Sequence, residues 1–333
     1  MAGQERGLEI SQAGIETTRG TAVAATRKVY TVWEPFSFER ELQWAEGVTG
    51  TFHDRREAQY GRIVHGLTGS EEVSFEDLPW WLEHIIKGGV TPSGDGGSPV
   101  AYTRNYTPSL AADDLKSSTL EYGTVGLPYE VNQMMVNSAT FRFLPDDNAY
   151  WMMDVEVLTR KPTQTAMTGS IADRARELIR APGTKNYVDS TTIGSTQIQG
   201  RFIGGSITIN NNLEFKAFAE DEDDFAANKV GRGDVTVDAQ FTYEFDSDAE
   251  YANYRDTQPV ERLIRIEREG SQIHGGSPVN KRARFDLNGY WSSVEPGYRT
   301  NNKILTFGMG ARYNTVAGYD LRAEVVNALA TLP

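Results

Sequence analysis

The chain has 333 residues and no cysteine, which excludes a disulfide framework, a thiolate nucleophile and a cysteine-ligated metal centre. Asp and Glu outnumber Lys and Arg by 46 to 33, so the net charge is -13 and tight binding to nucleic-acid phosphates is not expected. No apolar run approaches the roughly 20 residues that cross a bilayer. The first residues lack the apolar core of a secretion signal, so we expect neither membrane insertion nor secretion by a signal peptide.

The first part of the chain is predicted as an arm followed by a β domain. Residues 1–28 are polar and aperiodic, which is typical of an extended N-terminal arm that orders on a partner. A first β domain is predicted over residues 29–160, with a long strand over residues 63–75. On the predicted solvent side of that strand lie Thr68, Ser70, Glu72 and Ser74.

A helix is predicted directly after this strand. Its apolar stripe, at helical spacing, consists of Leu78, Trp81, Leu82, Ile85 and Ile86. Pro79 suits the first turn, and Gly88 and Gly89 suit the end. Alternation then predicts four strands, at about residues 99–107, 117–125, 136–144 and 150–159.

Residues 161–200 differ from their surroundings and are predicted as a helix plus a Thr/Ser/Gly-rich linker. Ser170 to Asp173 resembles a capping box, although Asp replaces the usual Glu or Gln. A helical stripe follows, formed by Ile171, Ala175, Leu178 and Ile179. Pro182 and Gly183 would end this helix before the linker.

A second β domain is predicted over residues 201–333. Its clearest strand, residues 235–245, alternates apolar and polar residues without interruption, which predicts one buried face and one wet face. The wet face consists of Thr236, Asp238, Gln240, Thr242 and Glu244. A short helix is predicted from Asp246 or Ser247 to about Arg255. Further strands are predicted at about residues 260–268, 283–291, 303–313 and 320–327.

The two halves share an order of elements, which predicts an internal duplication. Phe75 precedes the first helix and Phe245 precedes the second, and their separation is close to half the length of the chain. Because identity between the halves is low, a chance alignment of two β-rich halves is the alternative. Equivalent loops differ in charge: the first contains Asp54, Arg55, Arg56 and Glu57, and the second contains Glu220, Asp221, Glu222, Asp223 and Asp224. These loops are either solvated or in complementary contact between neighbouring subunits.

No constellation for catalysis or metal binding is found in the sequence. The four histidines are scattered, and neither a Gly-x-Ser-x-Gly nucleophile turn nor a phosphate-binding Gly-Lys-Ser/Thr loop occurs. Residues 220–224 lack the spacing of a calcium loop. The sequence therefore predicts no enzyme activity, no cofactor and no metal ion.

Several phrases nonetheless resemble a known family. They are Gly14-Ile-Glu-Thr-Thr-Arg-Gly-Thr-Ala-Val23, the run from Phe75 to Gly88, Tyr102 to Ser109, Gly205 to Glu214, and Tyr319 to Asn327. Together they resemble the phage tail tube (major tail) proteins of long-tailed phages, in a two-domain form. The resemblance covers most of the chain, and none of its phrases is catalytic.

The resemblance implies a structural virion protein of the phage tail, assembled in the host cytoplasm. It implies two tandem, mainly β tail-tube-like domains, each a β-sandwich or partial barrel with a short flanking helix. Inner sheets would close into a β-barrel lumen on oligomerisation. Two domains per chain imply rings of three copies, with six as the alternative, stacked into a tube. The implied partners are further copies of the chain, the tape-measure protein, tail-tip and terminator proteins, and double-stranded DNA in transit.

On this interpretation, the wet faces of the two long strands line the lumen. An acidic wall that repels phosphate would let DNA slide instead of adhering. The alternative is that these faces are ordinary outer surface. A runner-up function from another class is a β-sandwich binding or adhesion module for carbohydrates or host surfaces, which predicts a monomer with an exposed aromatic platform.

Overall fold

The computed structural model describes residues 9–34, 39–46, 55–124, 126–145, 149–216, 230–245, 249–256, 258–275 and 278–332. This part of the chain is mainly β, as predicted, with helices α1 (Leu78–Ile85) and α2 (Ala249–Asp256). The strands up to residue 164 are β1 (Ile10–Ile15), β2 (Arg27–Lys28), β3 (Val32–Trp33), β4 (Glu39–Glu46), β5 (Arg55–Glu72), β6 (Ser93–Gly94), β7 (Tyr102–Tyr106), β8 (Ser118–Thr124), β9 (Leu127–Arg142), β10 (Met152–Thr159) and β11 (Thr163–Gln164). The later strands are β12 (Lys185–Asp189), β13 (Phe202–Asn210), β14 (Leu213–Phe215), β15 (Val230–Arg232), β16 (Thr236–Glu244), β17 (Arg262–His274), β18 (Val279–Arg299), β19 (Asn302–Ala311) and β20 (Leu321–Asn327).

The two halves of the chain have the same strand order. In the first half, antiparallel pairing runs β3–β5–β10–β9–β8–β1. In the second half it runs β13–β16–β19–β18–β17–β12. Helix α1 follows β5 and helix α2 follows β16, again separated by close to half the chain. Hairpins β4–β5 and β14–β15 also occupy equivalent places. The correspondence seen between a few residues of the sequence thus extends to a whole topology.

Hydrogen-bonded strands and a common core join the halves. Ser138–Arg142 of β9 pair with Ser206–Asn210 of β13, and β7 pairs with β20. Rings from both halves meet in the core, where the centroid of Phe285 lies 4.9 Å from that of Phe141 and 6.1 Å from that of Trp151. Residues 29–160 and 201–333 therefore share one hydrophobic core, and their description as two tail-tube-like units stays a prediction.

Helix α1 is confirmed, and it is buried on every side instead of along one stripe. Trp80, Trp81 and Leu82 are each at most 1% exposed, and His84 is fully buried. The cause is that α1 contacts β7, β9 and β20, so both halves of the chain cover it. Helix α2 is confirmed over Ala249–Asp256, and its predicted start at Asp246 or Ser247 lies outside the described residues.

The predicted helix within residues 161–200 is wrong. The backbone of this segment bonds across to another segment instead of to its own preceding turn: Phe75 N donates to Glu177 O at 3.0 Å, and Ile179 N donates to Val73 O at 2.8 Å. The predicted linker is also partly structured, because Lys185–Asp189 form β12 and pair with β17. Available sheet partners thus override the helical spacing of the apolar residues.

The predicted N-terminal arm is corrected for the residues that the structure describes. Ile10–Ile15 form β1, which pairs with β8 along its whole length and with β2 at two positions. Ala13 is fully buried and Arg27 is 2% exposed. This segment has partners within its own chain, so it does not need another subunit to become ordered. Residues 1–8 lie outside the described part.

Candidate functional site

Eight strands form one continuous sheet that has a polar side. The pairing of β9 with β13 joins the two halves, so the order is β3–β5–β10–β9–β13–β16–β19–β18. Side chains alternate along each strand between the hydrophobic core and the other side. We call that other side of these eight strands the polar face.

The register shows that the two predicted wet faces are parts of this one polar face. Residues directly opposite each other in antiparallel strands project from the same side, so they can be followed in rows across the sheet. The first row is Thr68, Glu156, Ser138, Asn210 and Thr236. The second is Ser70, Asp154, Thr140, Thr208 and Asp238. The third is Glu72, Met152, Arg142, Ser206 and Gln240.

Eight of the nine residues predicted to line this surface lie on it. Thr68, Thr236, Asp238 and Gln240 are exposed, whereas Ser70, Glu72, Thr242 and Glu244 are half-buried. Ser74 is the exception and is corrected: it is fully buried, and its hydroxyl donates to Asp77 Oδ2 at 2.6 Å. The reason is that β5 ends at Glu72, after which the chain turns into α1 and the strand alternation no longer applies.

Sequence reasoning missed the middle of the polar face. Asp154 and Glu156 come from β10, whose residues alternate between half-buried and buried like those of the two recognised strands. The alternation of apolar and acidic residues from Met153 to Val157 in the sequence is the signal that could have found them. The remaining missed residues include Ser138, Thr140, Arg142, Ser206, Thr208, Asn210 and Thr306.

The polar face is acidic, and its hydroxyl groups bond across strands. Thr140 Oγ1 lies 3.0 Å from Thr208 Oγ1, and Thr242 Oγ1 lies 3.0 Å from Thr306 Oγ1. In the three rows, four carboxylates stand with one cation, Arg142, whose Nε lies 2.7 Å from Asp154 Oδ2. The cation is thus already paired, and the surface offers small hydroxyls and an excess of negative charge.

A family model described as phage tail tube protein matches residues 11–281. The chain belongs to the phage tail tube protein family. The family predicted from the sequence is therefore confirmed, and with it a structural role in a tail tube, self-assembly into that tube and a place in the virion. No curated protein matches the chain.

In this tail tube protein, a buried charge cluster fixes α1 behind the polar face. Arg27 Nη2 lies 2.6 Å from Asp77 Oδ1, Arg174 contacts the same carboxylate, and each of the two side chains in the first pair is 1% exposed. Glu71 lies next to them and accepts bonds from Thr31 Oγ1 at 2.7 Å and Trp81 Nε1 at 3.0 Å. Burial raises the pKa of Glu71 to about 7. The cluster ties β2, β5 and residues 174–176 to the helix.

Of the residues predicted to make inter-subunit charge contacts, the structure describes Arg55, Arg56 and Glu57. Arg55, Arg56 and Glu57 begin β5, so the predicted loop is corrected to strand at these residues; the paired β4 supplies the backbone partners. Asp54 lies outside the described residues, between β4 and β5. The acidic residues 220–224 lie outside them as well, between β14 and β15.

The described histidines have structural environments. His84 Nδ1 lies 2.8 Å from Trp80 O and its Nε2 lies 2.7 Å from Ser118 Oγ, and burial lowers its pKa to about 4. Burial likewise lowers the pKa of His65 to about 4. His274 Nε2 contacts Asp95 Oδ2 at 2.6 Å. Among the described residues there is no group of three or more candidate metal ligands, and no helix there is long and apolar enough to span a membrane.

Proposed function

We propose that the polar face lines the lumen of the tail tube and forms a conduit for the genome and the tape-measure protein. The observation that carries the proposal is the continuity of that face: three rows run unbroken from β5 to β16, and apart from Met152 and Arg142 their residues are small, polar or acidic. A lumen wall has to meet DNA along its whole circumference, so a continuous face suits it better than isolated patches would.

The charge of the face supports transit over binding. Negative side chains repel phosphate, and Arg142 is occupied by Asp154. Hydroxyl groups bonded to each other, as in Thr140 and Thr208, have fewer free donors for a passing backbone. A wall of this kind lets DNA slide at low friction.

A carbohydrate-binding or adhesion module is less well supported. That function predicts an exposed aromatic platform, for which Trp80 and Trp81 are the candidates in the sequence. Both indoles are buried, at 0% and 1% exposure, and they pack edge-on at 4.7 Å between ring centroids.

Assembly completes the proposal. Three copies form a ring of pseudo-sixfold symmetry because each chain contributes two equivalent strand runs, and rings stack into the tube of a long-tailed phage. Tail-tip and terminator proteins would bound the tube, with assembly in the host cytoplasm. The charged β4–β5 and β14–β15 hairpins are suited to contacts between neighbouring copies, which would favour correct register.

Charge reversal on the polar face tests the lumen assignment. In phage that carry Asp238→Lys together with Glu244→Lys, we expect tubes of normal length but fewer infectious particles and slower DNA ejection, since Lys would hold phosphate. Asp173→Lys is the matched control, because Asp173 is exposed and pairs with Lys28 of β2, away from the polar face. Normal ejection by the double variant would show that the face does not meet DNA.

A further inference from the structure

The eight-stranded sheet ends in two edges that have no strand partner within the described part of the chain. β3 pairs only with β5, and β18 beyond Gly289 pairs only with β19. Val32 on the first edge is 52% exposed, and Ser293 and Glu295 on the second are exposed as well. Unpaired strand edges present backbone donors and acceptors to any matching strand.

The backbone groups of both edges are directed outward at known positions. Glu34 N donates to Thr68 O at 2.9 Å, so by alternation the N–H and C=O of Trp33 are directed away from β5. On β18, Arg299 and Asn302 flank a two-residue turn and therefore bond each other. Alternation from Arg299 directs the N–H and C=O of Val294 away from β19.

The joint between β9 and β13 within the chain shows how such edges fit together. β13 occupies the place in the second half that β3 has in the first, and β9 corresponds to β18. At this joint Phe143 N donates to Gly205 O at 2.8 Å and Asn211 N donates to Asn137 O at 2.7 Å. The same alternation makes Phe141 and Ile207 a hydrogen-bonded pair and leaves Thr140 and Thr208 a non-hydrogen-bonded pair on the polar face.

Matching the rows of the two halves shows which residues of the free edges are equivalent to those of the internal joint. Ser70 and Gln240 are equivalent, because they are as far apart in the sequence as Phe75 and Phe245. Ser70 lies opposite Val32, and Gln240 lies opposite Ser206. On the other side of Ser70, the next residues in the same row are Asp154 and then Thr140. On the other side of Gln240, the next residues in the row are Gly308 and then Ser293. Val32 is thus equivalent to Ser206, and Ser293 to Thr140.

We propose that the β18 edge of one copy pairs, antiparallel, with the β3 edge of a second copy in the register of the internal joint. Trp33 then lies opposite Val294 as the hydrogen-bonded pair, Val32 opposite Glu295, and Glu34 opposite Ser293. This interface rests on the proposed tube function and names the surfaces by which the tube closes. Each chain carries one such joint inside itself and makes the next with a neighbour.

Burial on the two edges agrees with this register. Trp33 is 7% exposed and Val294 is half-buried, so both belong to the core side, whereas Val32, Glu34, Ser293 and Glu295 are exposed. Pairing in this register therefore extends the core on one side and the polar face on the other. A shift by one residue would pair Trp33 with Ser293 or Glu295 and so bring polar residues of the second copy to the core side.

Pro296 sets the length of the new joint. It corresponds to Phe143, whose N–H donates across the internal joint, but proline has no N–H to donate. Proline is tolerated on an edge strand, and here it ends the ladder after the Trp33–Val294 pair. The joint between copies is therefore shorter than the joint within the chain, and it is the weaker of the two.

The number of strands favours three copies per ring. Each chain supplies eight strands, so three copies give 24 strands. At about 4.8 Å between strands and a tilt of about 40°, the barrel is about 48 Å across its backbone. That bore admits one double helix with its ions. Six copies would give 48 strands and, by the same arithmetic, a diameter of about 96 Å.

Disulfide trapping tests the joint, because the chain has no cysteine of its own. Non-hydrogen-bonded pairs bring Cα atoms to about 4.5 Å, which suits a disulfide, so the two test variants are V32C/E295C and E34C/S293C. T140C/T208C is the positive control, since their oxygens are 3.0 Å apart within one chain. E34C/Y298C is the off-register control, because residue 298 is about 17 Å along the strand from residue 293.

After mild oxidation of assembled tubes, we expect both test variants to give monomers, dimers and trimers on a non-reducing gel, with the trimer as the largest species. A ladder that continues to six overturns the threefold ring. Uncross-linked tubes of both test variants, or equal cross-linking of E34C/Y298C, overturn the joint while leaving the tube function intact. Failure of the unaltered chain to form tubes, even with tail-tip components, counts against the proposed function itself.

Discussion

Helices α1 and α2 occupy equivalent places in the two halves and have opposite environments. The two helices are equally long, each follows the long strand of its half, and their starts lie close to half a chain length apart. All the side chains of α1 are buried. In α2, Tyr254 is 41% exposed and Arg255 is exposed. The shared topology thus sets the place of each helix, and the elements packed against a helix determine whether its side chains are buried or exposed.

The difference follows from what covers each helix. β20 of the second half and β7 lie against α1, whereas α2 packs against β18. At the start of α1, Asp77 is held by Arg27 and Arg174 inside the protein. At the start of α2, Glu250 bonds Arg262 at 2.9 Å with its side chain 41% exposed. Each helix is therefore anchored near its start by a carboxylate, which is buried in α1 and partly exposed in α2.

The largest expected contrast comes from neutralising these two carboxylates. Asp77→Asn leaves the buried Arg27 without its charge partner, so we expect a loss of about 3–5 kcal/mol in the free energy of unfolding. Glu250→Gln also removes the charge partner of a buried arginine, since Arg262 is 6% exposed, but the carboxylate site is 41% exposed and admits water, so we expect a smaller loss of about 1–2 kcal/mol. Urea unfolding of both variants measures the difference. Equal losses would mean that the two helices are anchored equally, contrary to the burial.

A pH-dependent contrast comes from His84, which has Arg255 as its counterpart in α2. Burial lowers the pKa of His84 to about 4 from 6.5, so the folded state binds its proton less readily than the unfolded state. Its contribution to stability is complete above pH 6.5 and is lost as the pH falls through 4. This difference in the pKa of His84 between the unfolded and folded states corresponds to about 3 kcal/mol in the free energy of unfolding.

In His84→Gln we expect a flatter decline of stability between pH 6.5 and 4 than in the unaltered chain. Measuring the difference between the two proteins at each pH cancels the opposite slope of Glu71, whose raised pKa lowers stability as the pH rises from about 4.5 to about 7. Thermal unfolding in matched buffers gives the comparison. A constant difference across this range would show that His84 titrates alike in both states.

The smallest effect is expected at the β18–β19 turn, which has no two-residue counterpart in the first half. Thr300 and Asn301 have φ of 44° and 68°, and a β-branched residue is strained there. Thr300→Asn should raise the free energy of unfolding by about 0.5–1 kcal/mol, because Asn adopts this conformation readily. Asn301→Gly is the control and should gain less. Equal gains would place the strain elsewhere in the turn.

The elements best predicted from the sequence are those in which local pattern and tertiary environment agree. The alternation over Thr236–Glu244 and the stripe from Leu78 to Ile86 each describe a surface that does face the core. At residues 171–179 they disagree. The spacing is helical, yet Ser170 has φ of 65° and the backbone of residue 179 bonds to Val73. The spacing of apolar residues in this segment does not reveal that its backbone bonds to residues about 100 positions earlier in the chain.

The candidate site shows the same division. Two of its strands are visible in the sequence because each is long and alternates, without interruption over residues 235–245 and with an interruption at Gly69 in the first strand. That Asp238 and Ser70 share one row depends on three strands between them, and this register is set by pairings across the whole chain. Ser74 is misplaced in the prediction because parity along β5 is continued two residues past the end of the strand.

Strand β20 has a consequence for the order in which the protein is made. It is the last strand of the described residues, yet it pairs with β7, and Asn327 Nδ2 donates to Phe75 O at 2.8 Å just ahead of α1. Arg104 Nη2 likewise donates to Leu329 O at 2.7 Å. An emerging chain therefore exposes α1 and leaves Arg104 without this acceptor until residues 321–329 have been synthesised. Pulse proteolysis of chains stalled before residue 321 should find α1 cleavable. Only a chain synthesised beyond residue 329 closes over α1, so translation delays the moment at which a subunit can polymerise.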